Sequence, residues 1–406
     1  MKVLLVHPGS SVSTADVYDG LSYGLRAHGV DVKPYRLDTR IETSGRTLHA
    51  MWRHKNRDVL LARIGAALAR VPESEGLPDL KPREMARLLA DRYPEAWAEA
   101  SSEYRDLAKP NSADVMYHAG CDALAMALRE QVDAVVVVSA MFFHPDVLIL
   151  MRRAGLLVTV LFTESPYDIE REALVAGMVD GCWTNERSSV AELRAVNPHA
   201  GYLPHAWHPM KHTPAGMHEG DEAVAAHDVV FVGSGFAERI AWFNAINWEG
   251  IDLGLYGAWD KTRLSKALRA CVRGDMVNNA VASALYRRAK VGLNLYRTSK
   301  GCTTRAVEHV TRAESLSPRA YELAACGVFH LSDHRSEVAE VFGAQVPTFR
   351  TPAEAEALIR LWLQDHEGRA RVAAQLPACV AAASWVDRAS VVLGDITRLV
   401  QARRAA

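Results

Sequence analysis

Ser315-Leu316-Ser317-Pro318-Arg319-Ala320-Tyr321-Glu322-Leu323-Ala324-Ala325-Cys326-Gly327-Val328-Phe329-His330-Leu331-Ser332 is the stretch on which the reading of this chain turns. Ser317 suits a helix N-cap, Pro318 suits the first turn, the apolar run carries the helix on, and Gly327 ends it just before a short apolar strand. A helix start presents unsatisfied N–H groups and the positive end of its dipole, so an anion such as a diphosphate fits there beside Arg319. Glu322 follows about one turn later, within reach of a ribose hydroxyl pair if the helix points at a nucleotide. The alternative is a capped helix whose Glu322 faces solvent.

Working outward, the same strand-to-helix grammar recurs along most of the chain. Within Met1 to Gly9 the chain reads as a first buried strand from Lys2, a helix follows from about Thr14 to His28, and a second strand runs from Val30 to Tyr35. From about Ile41 to Pro110 the strand signal gives way to charged segments of helical periodicity, read as a helical insertion. Strands resume near Ala134–Ser139, Leu156–Phe162, Gly181–Trp183 and Ala200–Leu203. Pro204 to His227, rich in Pro, His and Gly, is the linker candidate. Beyond it come strands at Val229–Val232, Ile251–Tyr256, Val291–Leu295 and Val328–Leu331, and a tail from Pro352 that reads as helical throughout. Alternating strands and helices imply parallel sheets, and two such sheets in tandem imply a cleft, since open α/β sheets bind ligands beyond the carboxyl ends of their strands.

Bulk properties fit this picture. The 406 residues exceed one ordinary core, 49% are apolar, and the formal net charge is -1. Affinity for nucleic acid or membrane therefore has to come from a local patch. Six cysteines without C-x-x-C spacing suggest neither a zinc site nor a disulfide framework, and point to a reducing, cytoplasmic setting. No apolar run is long enough to span a bilayer.

Gly233-Ser234-Gly235 follows the strand Val229-Val230-Phe231-Val232 and resembles the opening of a dinucleotide fingerprint. Glu238 occupies the place of the third glycine, however, and the next strand ends in Tyr256-Gly257 with no acidic residue, so a nicotinamide site is not expected. What remains is a turn where backbone approaches a ligand closely, with Arg239 one turn into the helix as a phosphate partner. The alternative is a tight turn with a solvated Arg239.

Taken together, Phe231-Val232-Gly233…Arg239, Leu255-Tyr256-Gly257, Gly292-Leu293-Asn294 and the Ser317–Gly327 unit resemble the second domain of group 1 glycosyltransferases with the GT-B fold, nearest the branch resembling spore-maturation protein B. Val158 to Pro166, Gly181 to Asn185 and Leu203 to Ala206 resemble that family's acceptor-domain strands, and Ser384 to Arg388 its returning last helix. The resemblance implies an α/β protein of two Rossmann-like domains facing across a cleft: residues 1–212 on the acceptor side with the insertion, 213–384 for the nucleotide sugar, and 385–406 as a helix crossing back. It implies a hexosyl- or pentosyltransferase that retains configuration, uses a nucleotide sugar as substrate and needs no cofactor or metal. Donor contacts would come from Gly233, Ser234, Gly235, Ser317, Pro318, Arg319, Tyr321 and Glu322, with Glu164 and Arg239 as catalytic candidates.

Two departures leave questions open. The family's paired acid, read seven positions before Glu322, falls on Ser315; with seven residues between the two acids, as in E-x7-E, it falls on Glu314. Thr163-Glu164 replaces a common His-Asp, and Glu164 either acts as a base toward the acceptor or caps the helix after Pro166. A nucleotide-sugar epimerase of the same fold and a non-catalytic nucleotide- or glycan-binding protein are the rival functions. The insertion carries Arg46, Arg53, Lys55, Arg57, Arg63 and Arg70 against the single acid Asp58, with Trp52 among them. That suits a polyanionic acceptor, DNA or an anionic lipid surface. The competing reading pairs these cations with the acids of Glu73 to Asp106 in a helical hairpin. His205, His208 and His212 have metal-ligand spacing only on a regular helix, which Pro204 and Pro209 discourage.

Overall fold

A computed structural model describes residues 1–9, 14–69, 82–95, 97–98, 109–214, 220–275, 277–301 and 308–405. Twelve strands form two parallel six-stranded sheets. The first contains β1 (Lys2–Val6), β2 (Asp31–Tyr35), β3 (Ala134–Val138), β4 (Val158–Phe162), β5 (Gly181–Thr184) and β6 (Ala200–Tyr202), in the order β2-β1-β3-β4-β5-β6. The second contains β7 (His227–Val232), β8 (Leu253–Tyr256), β9 (Val272–Gly274), β10 (Ala289–Asn294), β11 (His330–Asp333) and β12 (Thr348–Phe349), in the order β12-β11-β10-β7-β8-β9. The strand order reverses between β1 and β3 in one sheet and between β7 and β10 in the other, and such switch points open crevices at the carboxyl ends.

Strands β1, β3 and β4 are near-continuous apolar runs because helices cover both faces. Alternate residues of β1 and β3 go to opposite faces. Leu4, Val6, Val135 and Val137 pack under α4 (Ser112–Glu130), α5 (Pro145–Arg153) and α6 (Ile169–Ala176), with α7 (Val190–Arg194) beside them. Val3, Leu5, Val136 and Val138 pack under α1 (Thr14–Ala27) and the last helix, α15 (Trp385–Ala405). Closeness of α1 to α15 depends on two glycines: a Cβ on Gly20 would lie 2.1 Å from Trp385 Cδ1, and one on Gly24 would lie 2.1 Å from the Trp385 carbonyl oxygen. The second sheet is covered by α8 (Ala237–Asn244) and α13 (Pro352–Gln364) on one face and by α10 (Asn279–Arg287) and α11 (Pro318–Ala325) on the other. Short helices α9 (Lys266–Cys271) and α12 (Ser336–Phe342), and the longer α14 (His366–Cys379), complete it.

One expectation needs correction, two edge strands were not expected, and the helical insertion takes a definite form. The tail is not one helical run but α13, α14 and α15, broken at Asp365 and again around Val380–Ser384, where Trp207 and Ser384 form an isolated parallel bridge between the two chain crossings. The edge strands β9 and β12 carried no strand expectation, because two or three residues hold too little pattern to read. The insertion is built on α2 (Leu37–Leu68), a 32-residue helix that begins directly after β2, with α3 (Pro82–Arg92) further along. No helix among the described residues is long and apolar enough to cross a membrane.

Candidate donor site at the second switch point

The Ser317–Gly327 unit forms as its sequence suggests, with Pro318 at the first helical position and Gly327 at φ 64°. One detail differs: Ser317 has cap backbone geometry, but its hydroxyl donates to Asn294 Oδ1 at 2.8 Å instead of capping the helix. The pull comes from β10, whose last residue is Asn294. Arg319, one turn on, donates from Nε to the Val232 carbonyl at 2.7 Å and from Nη1 to Asn294 Oδ1 at 3.3 Å. Its guanidinium thus bridges the carboxyl ends of β7 and β10.

Arg239 makes the same bridge. It donates to the carbonyls of Ser234 at 2.9 Å, just after β7, and of Leu295 at 2.8 Å, just after β10. It is not solvated; only 7% of it is exposed. Burial, followed by the charge of Arg319, draws its pKa down to about 9, and Glu238 opposes the shift. Both guanidiniums lean on Phe231, at 5.3 Å (Arg239) and 4.6 Å (Arg319) from the ring centroid. The glycine turn makes this geometry possible: a Cβ on Gly233 would lie 2.6 Å from Arg319 Nη2, and one on Gly235 would lie 2.5 Å from the Trp259 ring. The close approach expected of this turn is made by the protein's own Arg319 and Trp259. Glu238, which replaces the third fingerprint glycine, accepts from the Thr298 and Ser299 amides at 2.8 and 3.0 Å and so ties down the loop after β10.

Two further arginines join the cluster without having been singled out in the sequence. Arg297 lies against Phe236 at 5.5 Å, and Arg239 lies 5.2 Å from the same ring. Arg335 sits 4.3 Å from the Tyr296 ring and donates to Tyr167 Oη at 3.1 Å. Burial pushes the neighbouring Asp333 up to about 7, against the pull of Arg335, the Tyr296 amide, Arg239 and Arg319. Their signal was positional: Arg297, Asp333 and Arg335 stand at or just past the carboxyl ends of buried strands, where ligands of open sheets bind.

Glu322 does not face solvent. It is 8% exposed and accepts from the Tyr286 hydroxyl at 3.4 Å. Burial raises its pKa to about 7, the Asp16 carboxylate of the first domain adds to the rise, and Arg319 opposes it. Asp16 is itself raised by burial to about 6. Tyr321 is placed elsewhere: at 2% exposure it packs with Tyr296, Leu316 and Val338, so its side chain serves the core, not the cleft. Neighbouring helix positions diverge by about 100°, which is why Tyr321 and Glu322 part company.

Across the cleft, Glu164 follows β4. Its carboxylate does not cap a helix; α6 begins only at Ile169, and Glu164 Oε2 instead accepts from Arg297 Nη2 at 2.5 Å. The fully buried Glu172 holds this turn, accepting from the Glu164 amide at 3.0 Å and from the Ser165 hydroxyl, and its pKa rises to about 8 through burial. A second contact between the domains lies at Glu186, which accepts from the Glu314 and Ser315 amides at 3.1 Å each. Ser315 accepts the Arg187 amide at 2.9 Å and belongs to this domain contact, next to Glu314, which the E-x7-E spacing pairs with Glu322.

On α2, Arg53, Lys55 and Arg57 are exposed. Ion pairs on this helix include Glu42 with Arg46 and Asp58 with His54 and Arg57, while Asp38 in its first turn also reaches His7. Arg70 and most of the acidic stretch proposed as a hairpin partner lie outside the described residues. The three histidines do not converge: His205 meets Asn185 Nδ2 at 2.5 Å, while His208 and His212 accept backbone amides through Nδ1.

Residues 239–394 match the family described as glycosyl transferase-like. No curated protein matches the chain in sequence. Sucrose-phosphate synthase from Thermosynechococcus elongatus superposes over 100% of both chains at 11% identity and a TM-score of 0.57. HepE from Anabaena, solved in complex with UDP-glucose, does so over 100% of both chains at 10% identity and 0.54. The DNA-modifying enzyme β-glucosyltransferase covers 98% of this chain and 100% of its own at 10% identity and 0.52. The fold is GT-B, with two Rossmann-like α/β domains.

Proposed function

We propose that this protein transfers a glycosyl group from a nucleotide sugar to an acceptor, with the donor diphosphate lodged at the switch point between β7 and β10. The observation that carries the reading is the pair Arg239 and Arg319, each bridging the two strand ends through carbonyls and an amide oxygen. These hydrogen-bonding partners are neutral and do not cancel the guanidinium charges, and Arg239 Nε is buried with no partner among the described residues, so the crevice favours an anion. As the glycosidic bond breaks, negative charge grows on the departing diphosphate, and preplaced cations stabilise it most at that moment. Ser234 and Gly233 would border the phosphates, and Glu322 would take the ribose hydroxyls. The glycosyl transferase-like match over residues 239–394 supports the same chemistry. Retention of configuration and kinship with the spore-maturation branch follow from the motif resemblance, and turnover without a divalent metal follows from cationic side chains taking the metal's place at the diphosphate; all three belong to this proposal.

For the acceptor, the exposed Arg53, Lys55 and Arg57 support a polyanion such as DNA. The deciding experiment offers a panel of nucleotide sugars to the purified protein, with and without chelator, and reads the products by mass spectrometry. Transfer in the presence of chelator is expected. A nucleotide sugar isomerised without acceptor would replace the reading with an epimerase, and unchanged donors would reduce it to binding. Reversing Arg53, Lys55 and Arg57 to Glu should raise the KM for a polyanionic acceptor and leave the donor KM alone; the same shift should follow from added salt.

A further inference from the structure

We infer that Glu164 serves the donor site as a positioning residue: from the first domain it holds the Arg297 guanidinium of the second in place beside the diphosphate crevice. The inference rests on the donor-site reading above and assigns Glu164 a task other than proton abstraction. Oε2 of Glu164 is engaged by Arg297 Nη2 at 2.5 Å, and both side chains are largely buried, at 12% and 16% exposure. Glu164 has little freedom to leave, because Glu172 anchors its amide at 3.0 Å.

Arg297 is framed by the same part of the first domain. Its guanidinium lies 4.3 Å from the Tyr167 ring centroid, and its carbonyl accepts the Tyr167 hydroxyl at 2.6 Å. The Gly301 amide donates to the Tyr167 carbonyl at 2.7 Å, extending the contact along the loop after β10. Phe236 then links Arg297 to Arg239, since both guanidiniums lie against that one ring. A guanidinium has five N–H donors, so the bond to Glu164 leaves others for an anion. Because Glu164 and Arg297 come from different domains, the pair, which has no net charge, fixes a third guanidinium beside the crevice only when the domains stand as they do here.

Two physical effects predict opposite signs for Glu164→Gln. If proximity of charge were all that mattered, removing a carboxylate near the crevice would tighten anion binding. If Glu164 orders Arg297, its loss weakens anion binding even though a negative charge has gone. We expect the second outcome, with affinity for inorganic pyrophosphate and for the diphosphates of uridine, guanosine and adenosine falling roughly ten- to a hundred-fold, the usual scale for a charge-assisted bond.

The test is a cycle of Glu164→Gln, Arg297→Gln and the double variant, read by titration calorimetry, with folding checked by circular dichroism. On the Arg297→Gln background, Glu164→Gln should change nothing further in anion affinity or in donor kcat/KM. Should Glu164→Gln perturb the fold, Glu164→Asp replaces it in the same cycle, with a smaller loss expected. Tighter or unchanged anion binding in Glu164→Gln overturns the inference. So does a loss of kcat of roughly a hundred-fold or more that persists on the Arg297→Gln background, the mark of a general base. Wild-type protein that binds none of the diphosphates would instead sink the donor-site reading, and this inference with it.

Discussion

Glu322 shows how a single burial decides what a residue can do. Its raised pKa means that near pH 7 the folded protein holds a mixture of carboxyl and carboxylate. Only the carboxylate accepts from both ribose hydroxyls, so nucleoside diphosphate affinity should rise with pH through about 7. The sign follows from linkage: a folded pKa above the ordinary value keeps the group protonated, and non-binding, until pH climbs past it. Calorimetry should show roughly a tenfold loss between about pH 7.5 and about pH 6, and Glu322→Gln should be weak and flat across that range. A pH-independent wild type would remove Glu322 from the ribose. Arg319→Ala, by contrast, should weaken a nucleoside diphosphate more than the monophosphate, by roughly tenfold or more at the charge-assisted scale. Equal losses for the two nucleotides would place Arg319 away from the far phosphate.

Among the elements, α15 depends most on a single pair of positions. Gly24 lies inside α1, where alanine would ordinarily gain about 1 kcal/mol in helix propensity. The added Cβ, however, would sit 2.1 Å from the Trp385 carbonyl oxygen, which belongs to backbone that cannot swing aside. Overpacking of that kind costs about 1–3 kcal/mol, so Gly24→Ala should destabilise on balance. Thermal unfolding checks the sign, and a higher Tm for Gly24→Ala would contradict the tight α1–α15 docking. α1 and the Ser317–Gly327 helix were legible because caps, glycines and apolar runs are local. β9 and β12 were not, since edge strands this short take their conformation from the neighbour they pair with.

At the scale of the whole molecule, the cleft is held by polar contacts, buried at Glu186 and partly exposed at Arg187. Glu186, 3% exposed, accepts amides from the segment that leads into α11, and Arg187 reaches Glu314, Ser336 and Glu340 at 2.8, 2.7 and 2.5 Å. Glu186→Ala would leave the Glu314 and Ser315 amides without these acceptors, at a cost of about 1–3 kcal/mol. The variant should loosen the two domains, which small-angle scattering would register as a larger radius of gyration, and donor affinity should fall because α11 is no longer braced. Unchanged scattering and unchanged affinity together would show that Glu186 does not govern the cleft.

Taken alone, the sequence determined the α/β class, two successive sheets, the helical excursion after β2, and the proline-started helix that carries Arg319 and Glu322. These features depend on short-range periodicity, caps and breakers, which adjacent residues express by themselves. Tertiary structure decided that Tyr321 belongs to the core, that Arg239 is buried on carbonyls, that Ser315 joins the domain contact, and that Glu164 meets Arg297. The partners in that last pair stand 133 positions apart. Only the docking of two sheets brings them within a hydrogen bond, and burial, which sets the charge state of Glu322, Asp333 and Glu172, is a property of the packed molecule that no local stretch of chain carries.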